Sequence, residues 1–211
     1  MPIVFGQVGA PSTTSAADAS NLPALQGKQG DMIVSELHGK YYTQTYRGNV
    51  FGFLRAAVTL PVNAATLASV YSIYNPPGSG KNLEMLCFDM AYVLATTVVD
   101  GVGLYYSTAA SGAAGSTFTT NVTPISKLLG GPSSSPVALC YSALTAVGTP
   151  VLADILAYTG AVTSTAANPI HYDFDGRTVV SPGTLIHLAM TTAASTASGF
   201  TGGLTWAEVP I

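Results

Sequence analysis

Apolar and polar positions alternate with a period of two along much of the chain, the spacing of strands whose two faces see different surroundings. Over 50–60 one alternating set holds Val50, Leu54, Ala56, Val58 and Leu60, and the other Phe51, Phe53, Arg55 and Thr59. The same spacing over 83–99 places Leu86, Phe88, Met90, Tyr92 and Leu94 on one face. Tyr41, Tyr42, Thr43, Thr45 and Tyr46 are all strand formers. Further strands are predicted at Leu67–Tyr74, Val102–Ser107, Val137–Ser142, Ile155–Thr159, His171–Phe174, Thr184–Thr191 and Gly203–Val209. Gly/Ser/Thr/Pro clusters punctuate them, with 108–121 and 130–136 read as linkers, and only Ser126–Leu129 and 150–157 suggest helical turns. Eight or more short strands with turn signals between them predict an all-β, two-sheet sandwich over 31–211. Small residues on the second faces of many strands predict that those faces are covered too, by loops or by neighbouring subunits.

Residues 1–30 break this pattern. Residues 11–20, Pro-Ser-Thr-Thr-Ser-Ala-Ala-Asp-Ala-Ser, are small, polar and aperiodic, with Gly6, Gly9, Gly27 and Gly30 around them. Such a segment buries little, so 1–30 is predicted to be an extended N-terminal arm ordered mainly by partners.

Composition narrows the function classes. Of 211 residues, only 8% are Asp, Glu, Lys or Arg, about a third of the share usual in soluble proteins. Ala, Ser, Thr and Gly supply 95 residues, 48% are hydrophobic, and the mean hydropathy is +0.40. Seven basic against ten acidic residues, net −3, leave no electrostatic footprint for gripping nucleic acid. The longest charge-free stretches, 56–80, 101–126, 128–153 and 178–207, are broken by Pro, Gly or Ser/Thr runs. None offers 18 consecutive apolar residues, so no membrane partner is expected. The first residues lack a basic n-region and apolar core, which predicts an unexported chain. Cys87 and Cys140 lie far apart in apolar runs and read as buried free thiols.

Candidate chemistry is thin. Gly78-Ser79-Gly80-Lys81-Asn82 has the flavour of a phosphate loop. However, the first glycine of that motif would fall at Asn75, position 82 is Asn rather than Ser/Thr, and β alternation follows instead of a helix. A tight loop between strands is the better reading. His171, Asp173 and Asp175 fall on one face of an extended segment, a ligand set for a divalent ion. A strand ending in an Asp-Gly turn explains the same letters. His38, His171 and His187 are the only histidines, and no Gly-x-Ser-x-Gly or His-Glu-x-x-His accompanies them. His187 reads as a sheet or interface residue. Asn121-Val122-Thr123 is a formal glycosylation sequon that says nothing without export. No catalytic, cofactor-binding or metal-binding residue is assigned, no cofactor is expected, and the chain is not expected to be an enzyme.

Three segments together resemble tailed-bacteriophage virion proteins of the jelly-roll type. Residues 72–83 (Ser-Ile-Tyr-Asn-Pro-Pro-Gly-Ser-Gly-Lys-Asn-Leu) are similar to their strand–Asn-Pro-x-Gly-Ser-Gly–strand turn. Residues 178–188, with Pro182-Gly183, look like their late Pro-Gly strand, and 204–211, with Trp206, Glu208 and Pro210, resemble their closing strand. The resemblance covers roughly 70–211 by order of elements; the Gly/Ser/Thr-rich region 108–136 has no counterpart in it. It implies a jelly-roll-like β-sandwich subunit of a virion assembled in the bacterial host cytoplasm. The implied role is a capsid decoration or cement protein bound to the major capsid protein or other virion proteins, as a homo-oligomer with a trimer favoured. The alternative is a receptor- or glycan-binding fibre, collar or tail module, for which eleven tyrosines would supply stacking platforms; Trp206, with Leu204 on its face, reads as core instead.

Overall fold

In a computed structural model of the chain, the described residues are 6–8, 24–26, 39–60, 68–69, 71–94, 100–108, 117–131, 135–145, 149–159, 169–191 and 199–211. The chain divides into two compact units, Met1–Thr43 and Gln44–Ile211. In the first, β1 (Gly6–Val8) pairs in parallel with β2 (Ala24–Gln26). The rest of the expected arm, 1–30, lies outside the described residues, as does His38.

The strand expected over Tyr41–Tyr46 is instead a single helical turn, α1 (Tyr42–Tyr46). Strand propensity gives way there because the segment is closed locally at both ends. Tyr42 N donates to Gly39 O, and Gly48 N to Thr45 O.

From there every regular element among the described residues is a strand: β3 (Val50–Thr59), β4 (Ala68–Ser69), β5 (Ser72–Asn75), β6 (Lys81–Leu94), β7 (Asp100–Thr108), β8 (Thr117–Val122), β9 (Ile125–Ser126), β10 (Leu139–Thr145), β11 (Val151–Thr159), β12 (Pro169–Asp173), β13 (Val179–Val180), β14 (Thr184–Met190) and β15 (Gly199–Pro210). One sheet has the order β12-β6-β15-β3-β9, with β13 also on β6. The other runs β11-β7-β14-β5-β10-β4, with β8 on β10. Every pairing in both is antiparallel.

Set aside β4, β8, β9, β10 and β13, and two four-stranded sheets remain: β12-β6-β15-β3 and β11-β7-β14-β5. Successive strands of this set alternate between the sheets except from β7 to β11, which are neighbours in one sheet. That connectivity is the double Greek key of a jelly roll, so the fold is an all-β jelly-roll sandwich. The region between β7 and β11 is a strand-bearing insertion: β8 falls largely within the 108–121 stretch read as a linker, and β10 is the strand expected over Val137–Ser142. Its β10 pairs with β5, its β8 extends that sheet, and its β9 pairs with β3.

The core lies between the sheets, with Phe51, Phe53, Leu83, Met85, Phe88 and Trp206 facing Tyr71, Ile73, Leu104, Ile186 and Leu188. On β3 the inward set is the phenylalanine set, while Leu54 is 44% exposed. The rings reach partners: Phe53 stacks on Tyr71 at 4.4 Å and Phe51 meets Trp206 at 6.4 Å. On β6 the core face shifts by one residue where the register slips opposite Thr205 and Trp206, so Met85 and Phe88 both point inward. Strand β14 is buried on both faces within the single chain. The second face of this strand is therefore covered, as its small and apolar residues predicted.

Candidate functional site

The three segments that carry the sequence resemblance converge at one end of the sandwich. Two of them contain a tight turn. Ser79 N donates to Pro76 O across a turn with Pro77 and then Gly78 at φ 77°. Thr184 N donates to Ser181 O across Pro182 and Gly183 at φ 84°. Proline followed by a left-handed glycine is the type II pattern, in which a side chain at the second position would be strained. Buried Asn75 joins the two turns: its Nδ2 donates to Lys81 O and Val180 O, both at 2.9 Å, and its own carbonyl accepts Gly183 N at 2.7 Å.

Lys81, the residue a phosphate loop would use, is spent on the fold. Its Nζ lies 3.1 Å from Oε2 of Glu208, whose side chain is fully buried. Glu208 also accepts the backbone amides of Val137 and Ala138 at 2.8 and 3.1 Å on Oε1. One carboxylate thus ties the start of β6, the last strand and the segment just before β10 together, with charge-assisted bonds to a buried acceptor. No anion is needed to account for Lys81.

A second tie crosses the core. Tyr71 precedes β5, and its hydroxyl donates to Phe53 O on β3 and accepts Leu204 N on β15. Gly203 makes room for it; a Cβ there would sit 1.9 Å from Phe53 O and 2.7 Å from the Tyr71 hydroxyl. Burial pushes the Tyr71 pKa well above its usual value.

The remaining candidates do not assemble into a reactive centre. His171 Nδ1 donates to Asp89 Oδ1 at 2.7 Å, with both side chains more than half exposed. Asp173 Oδ1 accepts Asp175 N, and Arg177 N donates to Phe174 O. With Asp175 at φ 49° and Gly176 at φ 72°, this is the Asp-Gly turn read from the sequence. Among the described residues, no group of three or more His, Cys, Asp or Glu side chains is placed to hold a metal ion. No helix among them is long and apolar enough to cross a membrane.

His187 sits on β14 with its ring stacked on Tyr105 at 5.7 Å, and its Nδ1 is buried without a hydrogen-bond partner. Burial lowers its pKa to about 4, which keeps it neutral. Ser72 and Ser107, its neighbours on that face, have equally unpartnered hydroxyls. The cysteines are free, Cys140 buried and Cys87 partly so. Burial, then the Asp89 charge, pushes Cys87 up to about 11, and burial raises Cys140 further. Trp206 is fully buried, so it is core and no stacking platform. Asn121 lies exposed on β8.

One cavity of about 320 Å³ opens between the sheets, with Leu104, Tyr106 and Ile186 on one wall and Val179 and Val180 on the other, and Arg177 and Thr178 among its lining residues. Beside it, Asp154 accepts from the Tyr172 hydroxyl at 3.1 Å and from Thr178 Oγ1 at 3.4 Å, and Arg177 donates to the Tyr172 hydroxyl at 3.2 Å. The sequence showed neither this network nor the Glu208 tie, because both join residues far apart in the chain.

No family model and no curated protein matches the sequence. A solved chain from a marine algae virus of the order Picornavirales is 14% identical over all of this chain and 90% of that one, at a TM-score of 0.25. A score that low carries no argument about this chain.

Proposed function

We propose that the chain is a structural virion protein, a decoration or cement subunit that binds a tailed-phage head as a homo-oligomer, a trimer by preference, and that it is not an enzyme. A jelly roll by itself hosts many functions. The observation that carries the reading is the use of the charged and polar groups. The three segments that resemble phage virion proteins meet at Asn75, Lys81 and Glu208, where the buried carboxylate and the lysine hold strands together. Scarce charge suits a subunit whose surface is covered by neighbours, since unpaired charges are costly to desolvate.

The test is to fractionate particles on a gradient and measure the copy number of this chain. Co-sedimentation near the stoichiometry of the major capsid protein supports decoration. A few copies per particle indicate a collar, fibre or tip, and absence from particles overturns the reading. A receptor- or glycan-binding module has one observation in its favour, the cavity between the sheets with Tyr106 and Arg177 among its lining residues. Saturable binding on a glycan array would select it.

A further inference from the structure

On one side of the sandwich the two sheets end in β12 and β11, and these edges are built differently. β12 exposes Pro169, His171 and Asp173, the kinds of residue that keep other strands away from an edge. β11 exposes Val151, Leu152, Ile155 and Tyr158.

The cause is local. The register of β11 against β7 slips between Leu152 and Asp154 and again between Ile155 and Ala157. Simple alternation would have put Leu152, Asp154, Leu156 and Tyr158 on one face. With two bulges, Leu152 lies opposite Tyr105, Ile155 opposite Gly103 and Tyr158 opposite Gly101. Val102 and Leu104, which alternate with these β7 residues, belong to the main core, so the stripe faces away from it. Asp154 falls opposite Leu104 instead and is held by Tyr172 and Thr178. The bulges therefore gather three large apolar side chains on the outside and take the strand's one charge off that face, the re-aiming that bulges commonly perform. Two of the three stand opposite glycines, Ile155 beside Gly103 and Tyr158 beside Gly101, and Leu152 and Tyr105 close over Gly103.

We propose that this stripe is the surface through which copies of the chain pack against one another. It deepens the homo-oligomer part of the function proposed above and rests on it. A second copy is the occupant that fits. The stripe carries no charge, so a symmetric partner brings neither repulsion nor an unpaired ion to bury. The same bulges interrupt the regular backbone ladder, which favours packing of side chains over addition of a foreign strand. The three side chains expose on the order of 350 Å² per copy, less than half of the ~800 Å² per partner of a stable stand-alone interface. Association is therefore weak in solution and strengthens where another contact holds copies side by side.

Sedimentation velocity of the full chain over a concentration series tests this, with Ile155→Lys and Tyr158→Lys compared at each concentration. Circular-dichroism melts confirm that these exposed substitutions leave the fold intact. The wild-type mass is expected to rise with concentration, and each variant to need at least tenfold more protein for the same rise. An Ile155→Cys variant provides a second readout, because the middle of the stripe meets its copy. Mild oxidation should give a cross-linked oligomer that the wild-type chain, with Cys87 and Cys140 alone, does not form.

Variants that associate like wild type, together with no cross-link at 155, overturn the proposal and leave a homo-oligomer through another surface. A wild-type chain monomeric to about 1 mM overturns it as well. Whether the chain belongs to a virion is then still decided by the particle gradient.

Discussion

Strands β15 and β11 have the same ingredients and opposite uses for them. Each has register slips along it, three for β15 (one against β3, two against β6) and two for β11, and each has one carboxylate, Glu208 in β15 and Asp154 in β11. β15 lies between β6 and β3, and there the slip opposite Thr205 and Trp206 turns both Met85 and Phe88 of β6 into the core, while the carboxylate collects donors from two distant parts of the chain. β11 has β7 on one side and forms a sheet edge, and there the irregularities sort side chains between inside and outside. A bulge in a central strand thus serves cohesion, while a bulge in an edge strand shapes a surface.

The largest expected effect tests the cohesive strand. Glu208→Ala strands two buried amides and the Lys81 ammonium, and should cost about 3–5 kcal/mol in urea unfolding. Lys81→Met should cost only about 1 kcal/mol, because Glu208 keeps its amide donors. Equal losses from the two would mean that the ion pair, not the carboxylate–amide contacts, closes this end. Next, Gly203→Ala should lower the melting temperature by about 10 °C, on the order of 3 kcal/mol for a chain of this size. Tyr71→Phe should cost about 1–2 kcal/mol. If Gly203→Ala were neutral, the close approach of the Tyr71 hydroxyl would not be what fixes this part of β15.

β14, in the sheet that ends at β11, gives a pH-dependent comparison. His187 has a folded pKa of about 4 against an ordinary 6.5, so the folded state resists protonation that the unfolded chain accepts. Stability is therefore full above about pH 6.5 and is lost as pH falls toward 4, by up to about 3 kcal/mol. Melts at pH 7 and pH 4.5 should show that loss in wild type and a smaller one in His187→Phe, which keeps the ring on Tyr105. The smallest effects belong at the edges. Asp154→Asn should cost about 1 kcal/mol and leave the self-association of β11 unchanged. His171→Gln, which breaks an exposed pair, should stay within about 0.5 kcal/mol.

Much of the fold was legible because turns and alternation are local. Asp175-Gly176 and the 76–80 loop were readable as turns, and most strands lay where apolar residues alternate. What failed did so for physical reasons. Residues 150–157 suggested a helical turn because bulges space the exposed apolar residues of β11 by three, close to a helical period. Thr117–Val122 hid as a strand within a Ser/Thr run, since β propensity depends on the partner, here β10. The Glu208 tie was not legible: its donors lie about 70 and 127 residues away, and nothing local marks an acid as buried.

The place of β15 also governs how the protein is made. It is the last strand in the order of the chain, yet it lies between β3 and β6 in its sheet. Until it emerges, those two strands have no common partner, and their Phe51, Phe53, Phe88 and Met90 face a half-built core. Pairing across some 150 residues of chain closes loops late and slowly. Chains that have yet to place β15 therefore keep an open sheet centre, a state prone to sticking to its own kind, and the sandwich becomes a complete building block only when that strand slots in.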